Sequence, residues 1–207
     1  PEDKMGLILE ELSAQILGHI IGLLDVEEKR YISNFFSVGQ LSEILTYMYP
    51  DDAADFLGII PVGKVKAILN SIKDNRAEEL QRLLEYDEES AGGIMTSEFI
   101  AFYTDQTAGR VINKLRKIIS EPEMIYYLYV ISRTKELVGV LSVRQLLAAE
   151  PDKLLKNIMT DNIIKVMVNQ DQEEVAKILS KYDLLAVPVV NKRDQLMGII
   201  TVDDAID

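Results

Sequence analysis

The chain has 207 residues, 48% apolar and 27% charged, and its 22 Lys and Arg against 34 Asp and Glu give a formal net charge of −12. That is enough for one large domain or two small ones with buried cores, and its acidity repels phosphate backbones, which excludes nucleic acid as a partner. With no Cys and a single His, disulfides, thiolate metal sites and cysteine nucleophiles are excluded, and little remains for a zinc or acid–base centre.

The charge is unevenly spread: residues 1–91 hold 8 basic and 18 acidic side chains (net −10), residues 92–207 hold 14 and 16 (net −2). From Met5 to about Glu89 apolar residues recur at helical spacing, with Leu7, Ile8, Leu12, Ile16, Leu17 and Ile20 on one face. Helices are predicted over Leu12–Leu24, Val26–Phe36 and Val38–Met48, with breaks at Asp25, Tyr49-Pro50, Pro61-Val62-Gly63 and Asp74-Asn75. Asp25 ahead of Glu27 and Glu28, and Pro50 ahead of Asp51 and Asp52, read as helix starts with acid in the first turn. Short helices joined by tight turns predict an acidic all-helical domain over 1–91, either a small bundle or a superhelical stack of helix pairs.

Ala91-Gly92-Gly93 reads as a flexible hinge, and an internal duplication follows it. Ile94-Met95-Thr96 returns 64 residues later as Ile158-Met159-Thr160, and Gly139-Val140-Leu141-Ser142 returns 59 residues later as Gly198-Ile199-Ile200-Thr201. The first copy is therefore five residues longer, the excess falling near Ser120–Met124. Each copy predicts a strand (Ile100–Tyr103; Ile163–Met167), an amphipathic helix (Ala108–Ile119; Glu173–Lys181) and two strands around a polar turn (Tyr127–Ile131 and Leu137–Leu141; Ala186–Val190 and Leu196–Ile200). A helix then starts past Ser142 or Thr201. Neither copy can bury both sheet faces alone, so the two should pack together. The fold class is α+β in two parts: the helical domain, then β-α-β-β-α repeated over 92–156 and 157–207. The longest apolar run, Ile125–Ile131, is far short of the ~20 residues a spanning helix needs. Both ends look cut, as in a piece of a longer protein.

The Ile-Met-Thr openers, the strand Ala186-Val187-Pro188-Val189-Val190 and the ending Gly198-Ile199-Ile200-Thr201-Val202-Asp203-Asp204 resemble a tandem pair of cystathionine-β-synthase-type (CBS) domains. The run Asp87-Glu88-Glu89-Ser90-Ala91-Gly92-Gly93-Ile94-Met95-Thr96 is similar to the junction of the MgtE family of magnesium channels, as are Asp171-Gln172-Glu173-Glu174-Val175-Ala176 and Thr201-Val202-Asp203-Asp204. The resemblance covers the whole chain. It implies a non-enzymatic Mg²⁺ sensor on the cytoplasmic face of the membrane, homodimeric through its CBS domains and followed by its own transmembrane pore domain, which is absent from this chain.

Magnesium prefers oxygen ligands and retains several waters, so one or two carboxylates make a site. Asp51 and Asp55 are spaced i,i+4 and Asp204 and Asp207 i,i+3, each pair on one helix face, with Asp52 pointing elsewhere. The resemblance implies that the Asp51/Asp55 face meets the Asp204/Asp207 helix, and that Gly93 (carbonyl), Asp171, Glu173 and Asp183 are further ligands. Two charges ~6 Å apart repel by about 3 kcal/mol at an effective dielectric near 20, so such a cleft opens without a cation and closes around Mg²⁺. His19 stands where the family can offer a carboxylate, and an imidazole is a poor magnesium ligand. Each feature also has a plainer reading. Acids at 51–52, 173–174 and 203–204 suit a helix first turn with or without metal, the glycine pair suits a hinge, and His19 suits packing.

CBS pairs often hold adenine nucleotides through Gly-x-x-Ser/Thr-x-x-Asp. Gly198, Thr201 and Asp204 satisfy it, whereas Gly139, Ser142 and Gln145 lack the acid. The resemblance implies Tyr127, Arg144 and Thr201 as nucleotide contacts, with Leu184 replacing an aromatic, and leaves ATP as a cofactor beside Mg²⁺ an open question. The alternative function is an adenine-nucleotide-sensing CBS module of another transporter or enzyme. Asp51-Asp52-Ala53-Ala54-Asp55 also matches the magnesium motif of helical prenyl-diphosphate enzymes, but no second motif accompanies it. No catalytic residues emerge: there is no P-loop, HExxH or nucleophile–His pair.

Overall fold

The structure, a computed structural model, describes residues 8–9, 11–72, 75–118 and 127–205. The chain divides into two compact units, 1–88 and 89–207.

The first unit is helical: α1 (Ala14–Gly22), α2 (Val26–Phe35), α3 (Val38–Ile44), α4 (Pro50–Gly58), α5 (Val62–Ser71) and α6 (Arg76–Leu83). The sequence sets the starts. Asp25 and Glu28 form a capping box on α2, Ser37 and Gln40 another on α3, and Ser13 caps α1. Pro50 opens α4, where its missing N–H costs nothing. Lys64 donates to the carbonyls of Ser33 and Phe36, closing the end of α2 with a cation. Helices pack mainly on second neighbours, α1 on α3, α3 on α5 and α4 on α6, with α1 also on α4. That is a stack, not an up-and-down bundle. Its core joins Ile21, Leu41, Phe56, Ile68 and Leu80, each fully buried. The expected apolar face of α1 is corrected: Leu17 and Ile21 are buried but Ile16 is 49% exposed, because the helix turns Gly18 toward the backbone of Tyr47.

The second unit holds two three-stranded sheets. In the first, β1 (Ala101–Tyr103) runs parallel to β2 (Leu128–Ile131), which pairs antiparallel with β3 (Leu137–Leu141); α7 (Ala108–Ile118) and α8 (Val143–Ala148) complete the copy. In the second, β4 (Val166–Met167), β5 (Ala186–Val190) and β6 (Leu196–Thr201) repeat the order, with α9 (Gln172–Tyr182). Strand β4 is shorter than Ile163–Met167, and the helix expected after Thr201 is a turn as far as Ala205; residues 206–207 lie outside the described residues.

The copies are laced together reciprocally. Thr96 exchanges two 2.9 Å backbone bonds with Ile199 of β6, and Thr160 exchanges two with Val140 of β3. Each Ile-Met-Thr opener thus adds to the other copy's sheet, with its Met seated on a glycine. A Cβ on Gly198 would come within 2.6 Å of the Thr96 carbonyl and 2.8 Å of Met95 Sδ; a Cβ on Gly139 would strike the Met159 side chain. The turns interlock too: Leu137 N donates to Asp194 O at 2.8 Å and Leu196 N to Lys135 O at 3.1 Å. Lys135 and Asp194, 59 residues apart, both take positive φ (66° and 55°). Tyr129, Leu137, Val190, Leu196 and Ile199 form the core between the copies.

Candidate metal and nucleotide sites

On α4, Pro50 sets the start and places Asp51 and Asp52 in the first turn, one turn before Asp55. The Asp55 carboxyl is pushed up to about 6, by desolvation first, with Lys29 opposing and the charges of Asp52 and Glu88 adding to the rise. Asp52 therefore does not point away from the cluster, as its spacing suggested. Its carboxylate occupies the space that a Cβ on Gly22 would need, and Glu88 Oε1 lies 3.2 Å from a Cβ position on Gly58. Glycines at these helix ends let carboxylates crowd in. The acidic run carrying Glu88 was legible in the sequence; its approach to Asp55 was not. His19 is exposed, its Nδ1 2.7 Å from the Gln15 carbonyl and its ring edge-on to Tyr49.

In the second unit the junction is tied to the start of α9. Ser90 pairs with Asp171, Ala91 N donates to Gln170 O (2.7 Å), Gly92 N to Val168 O (2.8 Å) and Gln172 N to Glu89 O (2.9 Å). Gly93 N donates to Ser90 O at 2.9 Å, and neither Gly92 nor Gly93 has positive φ. Gly93 and Asp171 thus belong to one neighbourhood. Asp171 is the N-cap of α9, accepting from Glu173 N at 2.8 Å, and Glu173 lies 3.5 Å from Lys177. Asp183 closes the other end of α9 in the left-handed region (φ 51°, ψ 47°), about 18 Å along the axis from Asp171. The helix keeps those two apart.

Glu173 and Asp204 line a common cavity of about 840 Å³, with Lys177, Ser180 and Lys181. Asp204 is partly engaged: Thr201 Oγ1 donates to its Oδ2 at 2.6 Å, and Asp204 N donates back to Thr201 Oγ1 at 3.3 Å. Asp207 lies outside the described residues. Among the described residues no three Asp, Glu or His side chains converge closely enough to hold a metal ion. One or two carboxylates with waters remain the appropriate donor set for magnesium.

Of the nucleotide candidates, Arg144 is exposed in the first turn of α8, Tyr127 is half-buried against the core between the copies, and the Thr201 hydroxyl is the Asp204 donor just described. Sequence reasoning passed over Tyr129 in that core. It is 1% exposed, its hydroxyl has no hydrogen-bond partner among the described residues, and burial first, then Tyr127, drives it well above the usual phenol range.

Among the described residues no helix is long and apolar enough to cross a membrane. Residues 1–89 match the MgtE intracellular N domain, and residues 91–152 and 155–207 each match the CBS domain. The chain is similar to the magnesium transporter MgtE of Bacillus subtilis, at 34% identity over 100% of this chain and 46% of the relative. It is also similar to that of Thermus thermophilus, at 31% identity over 97% and 50%. It spans about half the length of these curated relatives. Among solved structures, the soluble part of a magnesium transporter superposes with a TM-score of 0.90 at 33% identity, covering 100% of this chain and 82% of that one. The cytosolic domain of the Mg²⁺ channel MgtE in complex with ATP gives 0.85 at 30% identity, covering 99% and 89%. Helical stack, acidic junction and laced CBS pair agree with these matches, and the chain belongs to the MgtE family, comprising its N domain and its tandem CBS domains.

Proposed function

We propose that this chain is the Mg²⁺-sensing regulatory region of an MgtE-type magnesium channel, on the cytoplasmic face of the membrane and dimeric through its CBS pair. Mg²⁺ bridges carboxylates of the helical unit (Asp51, Asp55) to those of the CBS unit (Asp204, Asp207, with Gly93, Asp171, Glu173 and Asp183 at further sites) and favours the closed pore. It performs no catalysis. The observation that carries this reading is the Asp55 carboxyl, pushed up to about 6 beside Asp52 and Glu88: its ionised form is disfavoured until a cation arrives. Moving a two-state equilibrium decisively takes about 5.5 kcal/mol of differential binding, so several weak sites act together.

Limited proteolysis and small-angle scattering with and without millimolar-scale Mg²⁺ test it, compaction and protection being the expected result; an unchanged shape and cleavage pattern would sink it. The pH dependence has a definite sign. The folded-state value of Asp55 exceeds its ordinary 3.8, so ionisation destabilises the helical unit increasingly from pH 4 to 6, and fully above 6. Protons and Mg²⁺ compete there, so Mg²⁺-linked protection weakens as pH falls through about 6. Asp55→Asn stabilises the metal-free chain at pH 7 by roughly 1 kcal/mol, discounted for the water contact of an exposed side chain, and abolishes the pH dependence of protection.

ATP binding between the CBS copies is the second reading. The buried, unpartnered Tyr129 hydroxyl beside Tyr127 favours it, and an ATP complex is known for a relative. Calorimetry with ATP, and with Arg144→Ala, decides it.

A further inference from the structure

We infer that the groove between the outer edge of β1 and helix α7 in the first CBS copy binds a phosphate-bearing anion through Arg110, Lys114 and Arg133. The groove is a cavity of about 620 Å³, walled by Ala101–Tyr103 and lined by Asp105, Gln106 and the three cations, a size typical of small-molecule sites. Arg110 and Lys114 lie one turn apart on one face of α7. Arg133 enters from the β2–β3 turn, held by an ion pair with Asp105 and stacked over the Tyr103 ring at 4.7 Å, so little side-chain freedom is lost when it takes a ligand. Gln106 Oε1 accepts from Tyr103 N at 2.9 Å, which leaves its amide to donate.

The charge balance fits an anion. Three cations face one carboxylate, and Asp105 is itself held low by the Arg133 hydrogen bond, with the charges of Arg133 and Arg110 assisting. Among the described residues neither Arg110 nor Lys114 has an ion pair. Guanidinium pairs with phosphate in a bidentate fork, and a lysine adds a point charge.

The second copy supplies an internal control. Gln170 accepts from Met167 N at 3.4 Å as Gln106 does from Tyr103 N, and Val175 and Leu179 are buried as Val111 and Leu115 are. At the positions of Arg110 and Lys114, 64 residues on, stand Glu174 and Ile178. The fold does not require the cations. The groove is separate from the nucleotide candidates as well, because Arg133 follows the C-terminal end of β2 whereas Tyr127 precedes its N-terminal end.

The shared chemistry is a phosphate group, free or on a lipid. The test uses the whole 207-residue chain in metal-free buffer, with pyrophosphate in calorimetry and with phosphatidylglycerol-containing or phosphatidylcholine-only vesicles in sedimentation. Saturable pyrophosphate binding identifies a free anion; binding confined to the anionic vesicles identifies a headgroup. In either case R110E/K114I, which installs the second copy's own residues, weakens binding at least about tenfold, whereas Arg144→Ala leaves it unchanged. If circular dichroism shows the double variant to be misfolded, Arg133→Gln must produce the same loss. The inference is overturned if wild type binds neither probe, if the variants bind as tightly as wild type, or if only Arg144→Ala reduces binding. It does not depend on the Mg²⁺ reading, since no metal is present.

Discussion

In the first CBS copy Ser142 and Gln145 close a capping box at the start of α8; in the second, Thr201 and Asp204 exchange the same contacts at 3.4 and 3.3 Å. The copies also share the Met-on-glycine seat, the positive φ at Lys135 and Asp194, and the glutamine that satisfies the edge strand. They differ at Gln145 against Asp204, Arg144 against Asp203 and Arg110 against Glu174. What both copies hold in common is what the fold needs. Where they part, the side chain is available for ligands, and Asp204 is instructive because it serves both ends: one carboxylate caps a turn and faces the cavity with Glu173.

The largest expected effect tests the shared part. Gly198→Ala brings a Cβ within 2.6 Å of the Thr96 carbonyl, backbone that cannot move without breaking its two bonds to Ile199. Gly139→Ala meets only the Met159 side chain, which has other rotamers. We expect a loss of about 3 kcal/mol for the first and about 1–2 kcal/mol for the second in urea unfolding. Equal losses would mean that the two seats are not built alike.

That seat also shows how far the sequence could be read. The duplication, the order of strands and the helical nature of the first unit follow from periodicity and from the two offsets, because apolar spacing reports which face each element buries. The swap did not: Thr96 pairs with Ile199 across more than 100 residues, and no local pattern encodes a partner. Similarly, Asp51/Asp55 was visible as an i,i+4 pair, whereas Asp52 and Glu88 entered the cluster only because Gly22 and Gly58 leave room. Strand β4 shrank because only Val166 and Met167 find ladder partners on β5.

A smaller effect separates capping from metal binding. Asp204→Gln places in the second copy the residue that caps the first, so stability should change by less than about 1 kcal/mol. Losing the carboxylate should nevertheless weaken Mg²⁺-linked protection about tenfold in concentration. Retention of full Mg²⁺ response would reassign Asp204 to capping alone. Smaller again is removal of the caps. Ser142→Ala and Thr201→Ala should each cost about 1 kcal/mol in thermal unfolding, and a markedly larger loss at Thr201 would show that the turn after β6 depends on it more than α8 depends on Ser142.

The smallest effect is at Lys177. Its ammonium is 3.5 Å from Glu173, and both side chains are largely exposed (73% and 80%), a pair whose contribution is screened by water and worth under about 0.5 kcal/mol. Lys177→Ala should therefore leave the unfolding midpoint unchanged within error. The same lysine is a resident cation in the cavity shared by Glu173 and Asp204, so it competes with any metal placed there. Its removal should lower the Mg²⁺ concentration needed for protection, by a factor of about two to five if Glu173 and Asp204 act on one ion. A variant as stable as wild type with unaltered Mg²⁺ response would leave Glu173 as a solvated partner of Lys177, and the difference between the copies would then rest on Asp204 alone.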